Sequence, residues 1–144
     1  MMTTELDPDI GSRVRGRADA TFGRVIVSAR HNHFISDGRR SQGGPGEAVS
    51  AGELLLASLV SCGLGLVNSR AREVGATPPD VTLTAEFLRD PEDSTRFASL
   101  TLNFGFTGTD HARAEDYVGH FTAKCPIYNT LNRGGGVTVR IETL

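Results

Sequence analysis

The chain has 144 residues, of which 38% are hydrophobic and 22% charged, and its formal net charge is −2. This length suits one domain that buries a core without disulfide or metal staples. The slightly negative charge provides no basic surface for nucleic acid, so we expect no nucleic-acid partner. We expect a single domain over residues 1–144, with residues 1–11 as a loose N-terminal lead-in.

The N-terminus and the cysteine content favour the cytoplasm. Residues 1–14 are acidic and polar where a signal peptide has a basic segment and an apolar core. The longest apolar run, residues 54–67, is shorter than the roughly 18 residues of a membrane span, so we expect no membrane contact. Cys62 and Cys125 lack the Cys-x-x-Cys spacing of zinc sites, and permanent disulfides are rare in a reducing compartment. The cysteines are therefore either two unrelated buried thiols or a redox pair.

The first part of the chain predicts short strands followed by a loop. The segment VRGRADATFGRVIVSA is typical of two strands around a turn at Phe22 and Gly23. The next segment, HFIS, leads into the turn dipeptide Asp37-Gly38. Residues 38–49 are rich in glycine and polar residues and predict a loop.

A long helix is predicted to follow this loop. Ser50 and Glu53 have the spacing of a capping box at its start, and Gly75 is a suitable stop. Residues 54–67 are apolar on nearly every face, which predicts a helix buried all round. Other elements, including those of a second subunit, would have to cover such a helix.

The second half of the chain predicts a β-hairpin, two helices and a last strand. In the hairpin, two alternating segments each place four apolar residues on one face: Val81, Leu83, Ala85 and Phe87, then Leu100, Leu102, Phe104 and Phe106. A helix follows Thr109 or Asp110, and a shorter one has Cys125 as N-cap and Pro126 at its first position. Residues 137–143 read as a strand. The order of elements predicts an α+β fold with a mainly antiparallel sheet against helices.

Neither cysteine is decisive when it is considered alone. A lone cysteine in an apolar helix, such as Cys62, is usually a packing residue. Gly63 and Gly65 on that helix point to close approach by another segment or a ligand, because glycine weakens a helix. Cys125 sits where a helix N-terminus stabilises a thiolate, but it is equally an ordinary helix entrance.

Other fragments offer no separate chemistry. His31 and His33 share a strand face without a third ligand, so a surface pair is expected rather than a metal site. The glycine-rich loops GGPG and RGGG lack the order of phosphate-binding motifs. We expect no metal and no bound cofactor.

Three segments together resemble the OsmC/Ohr family of osmotically inducible and organic-hydroperoxide-resistance proteins. GELLLASLVSCGLGLVNSRAREVG is similar to that family's central helix with its reactive cysteine, and AKCPIYNTL to its second cysteine signature. ATFGRVIV resembles the strand and turn that supply the active-site arginine. The resemblance covers nearly the whole chain. It implies an OsmC-like fold in which antiparallel sheets wrap a long central helix in an intertwined homodimer.

The resemblance also implies roles for individual residues. Cys62 would be the peroxidatic thiolate, Cys125 the resolving thiol and Arg24 the active-site arginine. The acidic residue departs from the family pattern, because Gly52 occupies the position ten before Cys62. Glu53 is the neighbouring candidate, although the capping box explains it fully, and Glu47 is the alternative.

These roles describe a thiol-dependent peroxidase. It would reduce organic hydroperoxides, with hydrogen peroxide as a further candidate substrate, through a sulfenic acid and an intramolecular disulfide that an external dithiol reduces. The alternative is an OsmC-like dimer with weak or no catalysis that binds a small hydrophobic ligand. Gly52 at the usual glutamate position favours this alternative.

Overall fold

The computed structural model describes residues 11–138 and 140–142. Five strands and three α-helices follow in chain order: β1 Arg15–Ala18, β2 Arg24–Ala29, β3 Asn32–Asp37, α1 Ala51–Glu73, β4 Asp80–Arg89, β5 Phe97–Thr107, α2 His111–Lys124 and α3 Pro126–Arg133. Both sheets are antiparallel, with strand orders β1-β2-β3 and β4-β5. The predicted α+β fold with antiparallel sheets and one long helix is confirmed.

The chain divides into two compact units, residues 1–55 and 56–144, and each is described by itself. The expected single domain stays a prediction. The expected lead-in lies outside the described residues except for Gly11.

The first unit is built on the three-stranded sheet. The predicted turn at Phe22 and Gly23 joins β1 to β2, and Gly23 has the left-handed φ of 81° that glycine adopts most easily. The register of β2 and β3 places Arg24 directly opposite Asp37. The predicted loop 38–49 contains one short 3-10 helix, Arg40–Gln42, that the sequence pattern did not reveal.

The capping box at the start of α1 forms as predicted. The Ser50 backbone N–H donates to Glu53 Oε1 at 2.9 Å, and the Glu53 N–H donates to Ser50 Oγ at 3.3 Å. These two bonds satisfy groups that a helix N-terminus leaves without partners. At the other end, Gly75 has a left-handed φ of 69°, which ends the helix as expected.

Within the chain, α1 is buried along one stripe rather than on every face. The fully buried positions repeat every four residues: Leu59, Gly63, Val67 and Ala71. The hairpin β4-β5 covers this stripe, since Leu83 and Phe104 lie closest to Gly63. Leu64 and Leu66 are half-buried and Gly65 is exposed. Burial on the remaining faces therefore requires contacts beyond those made by residues 11–138 and 140–142.

The core of the second unit lies between α1, the hairpin and α2. Val67, Ala71 and Tyr117 form its buried centre, with Phe104 and Phe106 packed against it. Seven of the eight apolar residues predicted to face inward are buried or half-buried, with Leu83 at 9% exposed, whereas Leu100 is 40% exposed. Tyr117, which is 2% exposed, is a core residue that the sequence analysis missed.

By length and composition, α1 is the one helix in the described part of the chain that could cross a membrane, with a mean hydropathy of 1.5. The apolar run at residues 54–67 is too short to span a membrane, but the helix that contains it is longer because it continues to Glu73. One such helix is weak evidence, since core helices of water-soluble proteins have the same composition. The expected lack of membrane contact stays a prediction.

The predicted last strand is not present in the described residues of that segment. Val139 and Thr143 lie outside the described residues, and positions 137, 138 and 140–142 have no strand assignment. Val137 and Ile141 are 89% and 87% exposed. An alternating segment becomes a strand only when a neighbouring strand supplies ladder hydrogen bonds, which the pattern alone cannot provide.

We expect Gly63→Ala to destabilise the protein, whereas Gly119→Ala does not. A Cβ on Gly63 would lie 2.5 Å from Leu83 Cδ2 and 3.4 Å from Phe104 Cζ, while none meets Gly119 within 4 Å. Overpacking costs about 1–3 kcal/mol, and alanine gains at most about 1 kcal/mol over glycine in a helix. Urea unfolding of the reduced proteins measures the difference. A gain in stability as large for Gly63→Ala as for Gly119→Ala would contradict the packing described.

Candidate active site

The two cysteines meet in the second unit. Cys62 lies in the middle of α1, and Cys125 lies at the junction between α2 and α3. Their Sγ atoms are 2.7 Å apart, with the Cys125 thiol donating to the Cys62 sulfur, and both thiols are free. This contact places the two sulfur atoms where they could react with each other.

Cys125 caps α3, as its position before Pro126 predicted. Its Sγ accepts a hydrogen bond from the backbone N–H of Tyr128 at 3.3 Å. Cys125 is completely buried, whereas Cys62 is only partly buried. Within the chain, Cys62 is therefore the less buried of the two cysteines.

Burial raises the pKa of the Cys62 thiol to about 12, and the adjoining Cys125 thiol adds to the rise. The thiolate is the nucleophilic form of cysteine. Because the pKa of Cys62 lies far above neutral pH, this environment keeps the thiol protonated. A reactive Cys62 would need a positive charge to offset the cost of desolvating the thiolate.

A second set of charges lies in the first unit, around Arg24. Its guanidinium forms a two-point ion pair with Asp37, with Nε to Oδ1 at 2.8 Å and Nη2 to Oδ2 at 2.9 Å. Nη2 also donates to Glu47 Oε2 at 3.2 Å. The pKa of Arg24 is raised, first by the hydrogen bond to Asp37 and then by that to Glu47. The cluster thus holds a permanently charged guanidinium in a fixed orientation.

Asp37 is the partner that the sequence analysis missed. Its side chain is 0% exposed, and Oδ2 also accepts the backbone N–H groups of Glu47 and Ala48 at 3.1 and 2.9 Å. The Arg24 guanidinium lowers the pKa of Asp37 most, and the N–H of Ala48 lowers it further. The Asp37-Gly38 dipeptide predicts only a turn at this position. The pairing of Asp37 with Arg24 could have been found from the antiparallel register of β2 and β3, which sets the two residues opposite each other.

Close backbone packing brings the loop with Glu47 to this cluster. The Gly38 N–H donates to the Gly23 carbonyl at 2.7 Å, and the Gly46 N–H donates to the Gly38 carbonyl at 3.1 Å. A Cβ on Gly44 would overlap the Gly38 carbonyl. The glycines of this loop therefore allow tight backbone packing against the turn before Arg24.

The two acidic candidates have different surroundings. Glu47 contacts Arg24, although its side chain is 68% exposed. Glu53 is engaged in the capping box, and the Ser50 N–H lowers the pKa of its carboxyl. The structure thus brings Arg24 together with Glu47 and Asp37, and brings Cys62 together with Cys125. It places Glu53 at the start of α1.

The histidine pair of the sequence analysis stays at the surface. His31 and His33 are exposed, and His33 Nδ1 shares a 2.7 Å hydrogen bond with Ser28 Oγ. Within residues 11–138 and 140–142, no group of three or more His, Cys, Asp or Glu side chains could hold a metal ion. This part of the chain thus offers thiol and guanidinium chemistry.

Comparison with known protein families shows which family the chain belongs to. The profile described as OsmC-like protein matches residues 44–142, a segment that includes both cysteines. The chain belongs to the OsmC-like family. No curated protein matches the chain by sequence.

Solved structures share the fold. An OsmC-like protein from Mycoplasma pneumoniae has a TM-score of 0.73 at 13% identity, covering 85% of this chain and 87% of that one. OsmC of Legionella pneumophila, an organic hydroperoxide resistance protein, has a TM-score of 0.66 at 22% identity, covering 86% and 90%. The organic hydroperoxide resistance protein OhrB of Bacillus subtilis has a TM-score of 0.61 at 18% identity, covering 86% and 91%. At these identities the likeness establishes the OsmC-like fold.

We expect Asp37→Asn to lower the thermal unfolding midpoint several times more than Glu47→Gln does. The buried Asp37 carboxylate accepts two bonds from Arg24 and two from backbone N–H groups, whereas the exposed Glu47 makes one bond to Arg24. Differential scanning calorimetry at neutral pH compares the two variants. Equal midpoints would show that Asp37 does not hold the loop.

The ion pair between Arg24 and Asp37 predicts that the stability of the protein depends on pH. Because the pKa of Asp37 is lower in the folded state, its stabilising contribution is complete above the unfolded value of about 3.9. The contribution is lost as the pH falls through the lower folded value. Asp37→Asn should therefore flatten the acid limb of the midpoint-against-pH curve, and an unchanged limb would contradict this assignment.

Proposed function

We propose that this OsmC-like protein is a thiol-dependent peroxidase that reduces organic hydroperoxides with Cys62 and Cys125. The observation that carries the proposal is the 2.7 Å contact between the two sulfur atoms, which links residues 63 positions apart. Two unrelated structural thiols have no need to meet. Organic hydroperoxide resistance proteins among the structural neighbours give the peroxide its chemical class.

The proposed cycle begins on Cys62. Its thiolate attacks the terminal peroxide oxygen, an S–O bond forms, and the O–O bond breaks to release an alkoxide that takes a proton and leaves as alcohol. The Cys125 thiol then attacks the sulfenic sulfur, and the sulfenic oxygen leaves as water with the Cys125 proton. An external dithiol reduces the resulting disulfide through a mixed disulfide.

The assignment of roles rests on access. Cys62 is the less buried cysteine, which favours it as the sulfur that meets the peroxide, whereas Cys125 is completely buried and suits attack on a neighbouring sulfur. Leu59 and Leu66 occupy the same face of α1 as Cys62, three and four residues away. These apolar neighbours favour an alkyl hydroperoxide over hydrogen peroxide.

We propose Arg24 as the cation that activates Cys62. A thiol whose pKa is raised to about 12 needs a permanent positive charge to react at neutral pH, and guanidinium does not lose its proton. The support is the family resemblance of the Arg24 turn and the carboxylates that fix its guanidinium. In this proposal Asp37 and Glu47, rather than Glu53, are the acidic partners of Arg24.

We also propose that the protein is a cytoplasmic homodimer. The helix α1 is strongly apolar, yet only 17% of its most apolar window is buried in the chain. Small residues repeat every four positions on its exposed side: Ala57, Ser61 and Gly65. Such a stripe lets a second helix approach closely, as in a symmetric pair of the same helix. A reducing compartment would keep the thiol pair ready for peroxide.

The second candidate function is binding of a small hydrophobic molecule without efficient catalysis. The observation that favours it is the raised pKa of Cys62, which leaves the thiol unreactive if no cation offsets it. The two candidates differ in one measurable property. After mild peroxide treatment, a peroxidase loses both free thiols together, and a simple binding protein keeps them.

We expect the wild-type protein to consume cumene hydroperoxide in the presence of a dithiol. Cys62→Ser should abolish turnover, because the attacking sulfur is gone, and Cys125→Ser should react once and then stop or over-oxidise. Peroxide consumption, together with a sulfenic-acid probe, measures both steps. Ser99→Ala, at an exposed position of β5, is the control variant and should retain activity. Consumption by Cys62→Ser at the wild-type rate would exclude the assigned nucleophile.

We expect Gly65→Leu to convert the dimer to a monomer. A leucine in the middle of the stripe would keep the two helices apart, whereas Gly119→Leu adds the same side chain to open space on α2. Sedimentation velocity of the reduced proteins gives their masses. A wild-type monomer at micromolar concentration, or a dimer that survives Gly65→Leu, would contradict this interface.

A further inference from the structure

The junction that carries Cys125 is a single residue long. The Cys125 N–H donates to the Phe121 carbonyl at 2.9 Å and closes α2, while its own carbonyl accepts the Asn129 N–H at 3.0 Å and opens α3. Only the two backbone dihedrals of Cys125, φ −74° and ψ 114°, separate the two helices. The direction of α3 and the position of the Cys125 sulfur are therefore set together.

Pro126 leaves one carbonyl at this junction without its helical donor. In a continuous helix, the Thr122 carbonyl would accept the N–H of residue 126, and proline has none. The side chain of Asn129 replaces that donor. Its Nδ2 donates to the Thr122 carbonyl at 3.2 Å and to the Cys125 carbonyl at 2.9 Å. One amide group thus ties the last turn of α2 to the first turn of α3.

We propose that Asn129 is a positioning residue for the resolving step, because its amide clamps the α2–α3 junction so that the Cys125 sulfur stays against Cys62. This inference rests on the proposed peroxidase cycle. In the resolving step the Cys62–Cys125 bond forms, and the S–O bond of the sulfenic acid breaks as water leaves with the Cys125 proton. Asn129 touches neither sulfur and acts through the backbone of Cys125.

The competing reaction makes the proposal testable. A sulfenic acid that Cys125 does not capture reacts with a second hydroperoxide molecule and becomes a sulfinic acid. The ratio of sulfinic acid to disulfide therefore reports how well Cys125 is positioned. The first oxidation forms and breaks no bond at Cys125, so this ratio reports on the resolving step.

The decisive variant is Asn129→Asp, which keeps the shape but replaces the donating amide with a carboxylate that repels both carbonyls. Asn132→Asp is the matched control, because Asn132 is exposed and lies one turn further along α3. Peptide mass spectrometry after graded cumene hydroperoxide should show that Asn129→Asp raises the ratio of sulfinic acid to disulfide about tenfold. The ratio in the Asn132→Asp protein should match that of the wild type.

A redox titration with dithiothreitol separates this inference from the peroxidase proposal, because it needs no peroxide. The effective concentration of the thiol pair should fall by a similar factor in Asn129→Asp and stay unchanged in Asn132→Asp. Asn129→Ala, which removes the donor without adding charge, is tested by the same criteria if Asn129→Asp does not fold.

Wild-type values in both assays would overturn the role of Asn129. An equal slowing of the first oxidation and of closure would also overturn it, whereas a peroxidase failure alone would leave the titration result standing.

Discussion

The contact between the Cys62 and Cys125 sulfur atoms depends on two local features of the chain that lie far apart in sequence. One is the close approach at Gly63, where the absence of a side chain lets β4 and β5 pack against α1 next to Cys62. The other is Pro126, which ends α2 and turns the chain at Cys125. Together they bring two partly or fully buried thiols to 2.7 Å, a distance that the proposed chemistry needs. The same burial that creates the pair also opposes its ionisation.

This opposition explains why a peroxidase built on such a pair needs a charged partner. Desolvation raises the pKa of Cys62, and a thiol cannot attack a peroxide quickly in that state. The Arg24 cluster has the required properties, because a buried carboxylate and an exposed one fix a guanidinium that stays charged. Gly52 therefore does not leave the arginine without acidic partners, since Asp37 and Glu47 hold it instead. Within this account, the missing glutamate changes how Arg24 is held and not whether it is held.

Local signals in the sequence predicted local structure well. The capping box of Ser50 and Glu53, the N-cap at Cys125 and, except at Leu100, the inward faces of the hairpin were found where the pattern placed them. Each depends on hydrogen bonds or burial within a few residues or within one strand pair. The pairing of Arg24 with Asp37 was missed because it depends on the register between two strands.

Features that depend on distant contacts could not be read from the pattern. The meeting of Cys62 and Cys125 came from the family resemblance, since no local rule links residues 63 positions apart. The apolar run of α1 predicted burial on every side, but the single chain covers one stripe. Hydrophobic pattern states which surfaces avoid water, and it does not state whether the same chain or another one covers them.

The most direct test of the account is to treat the fully reduced protein with one equivalent of cumene hydroperoxide, block the remaining thiols and map its peptides by mass spectrometry. The account predicts one molecule of alcohol released per chain and a single intramolecular disulfide joining Cys62 to Cys125. Recovery of both cysteines as blocked free thiols, with the peroxide still present, would contradict it.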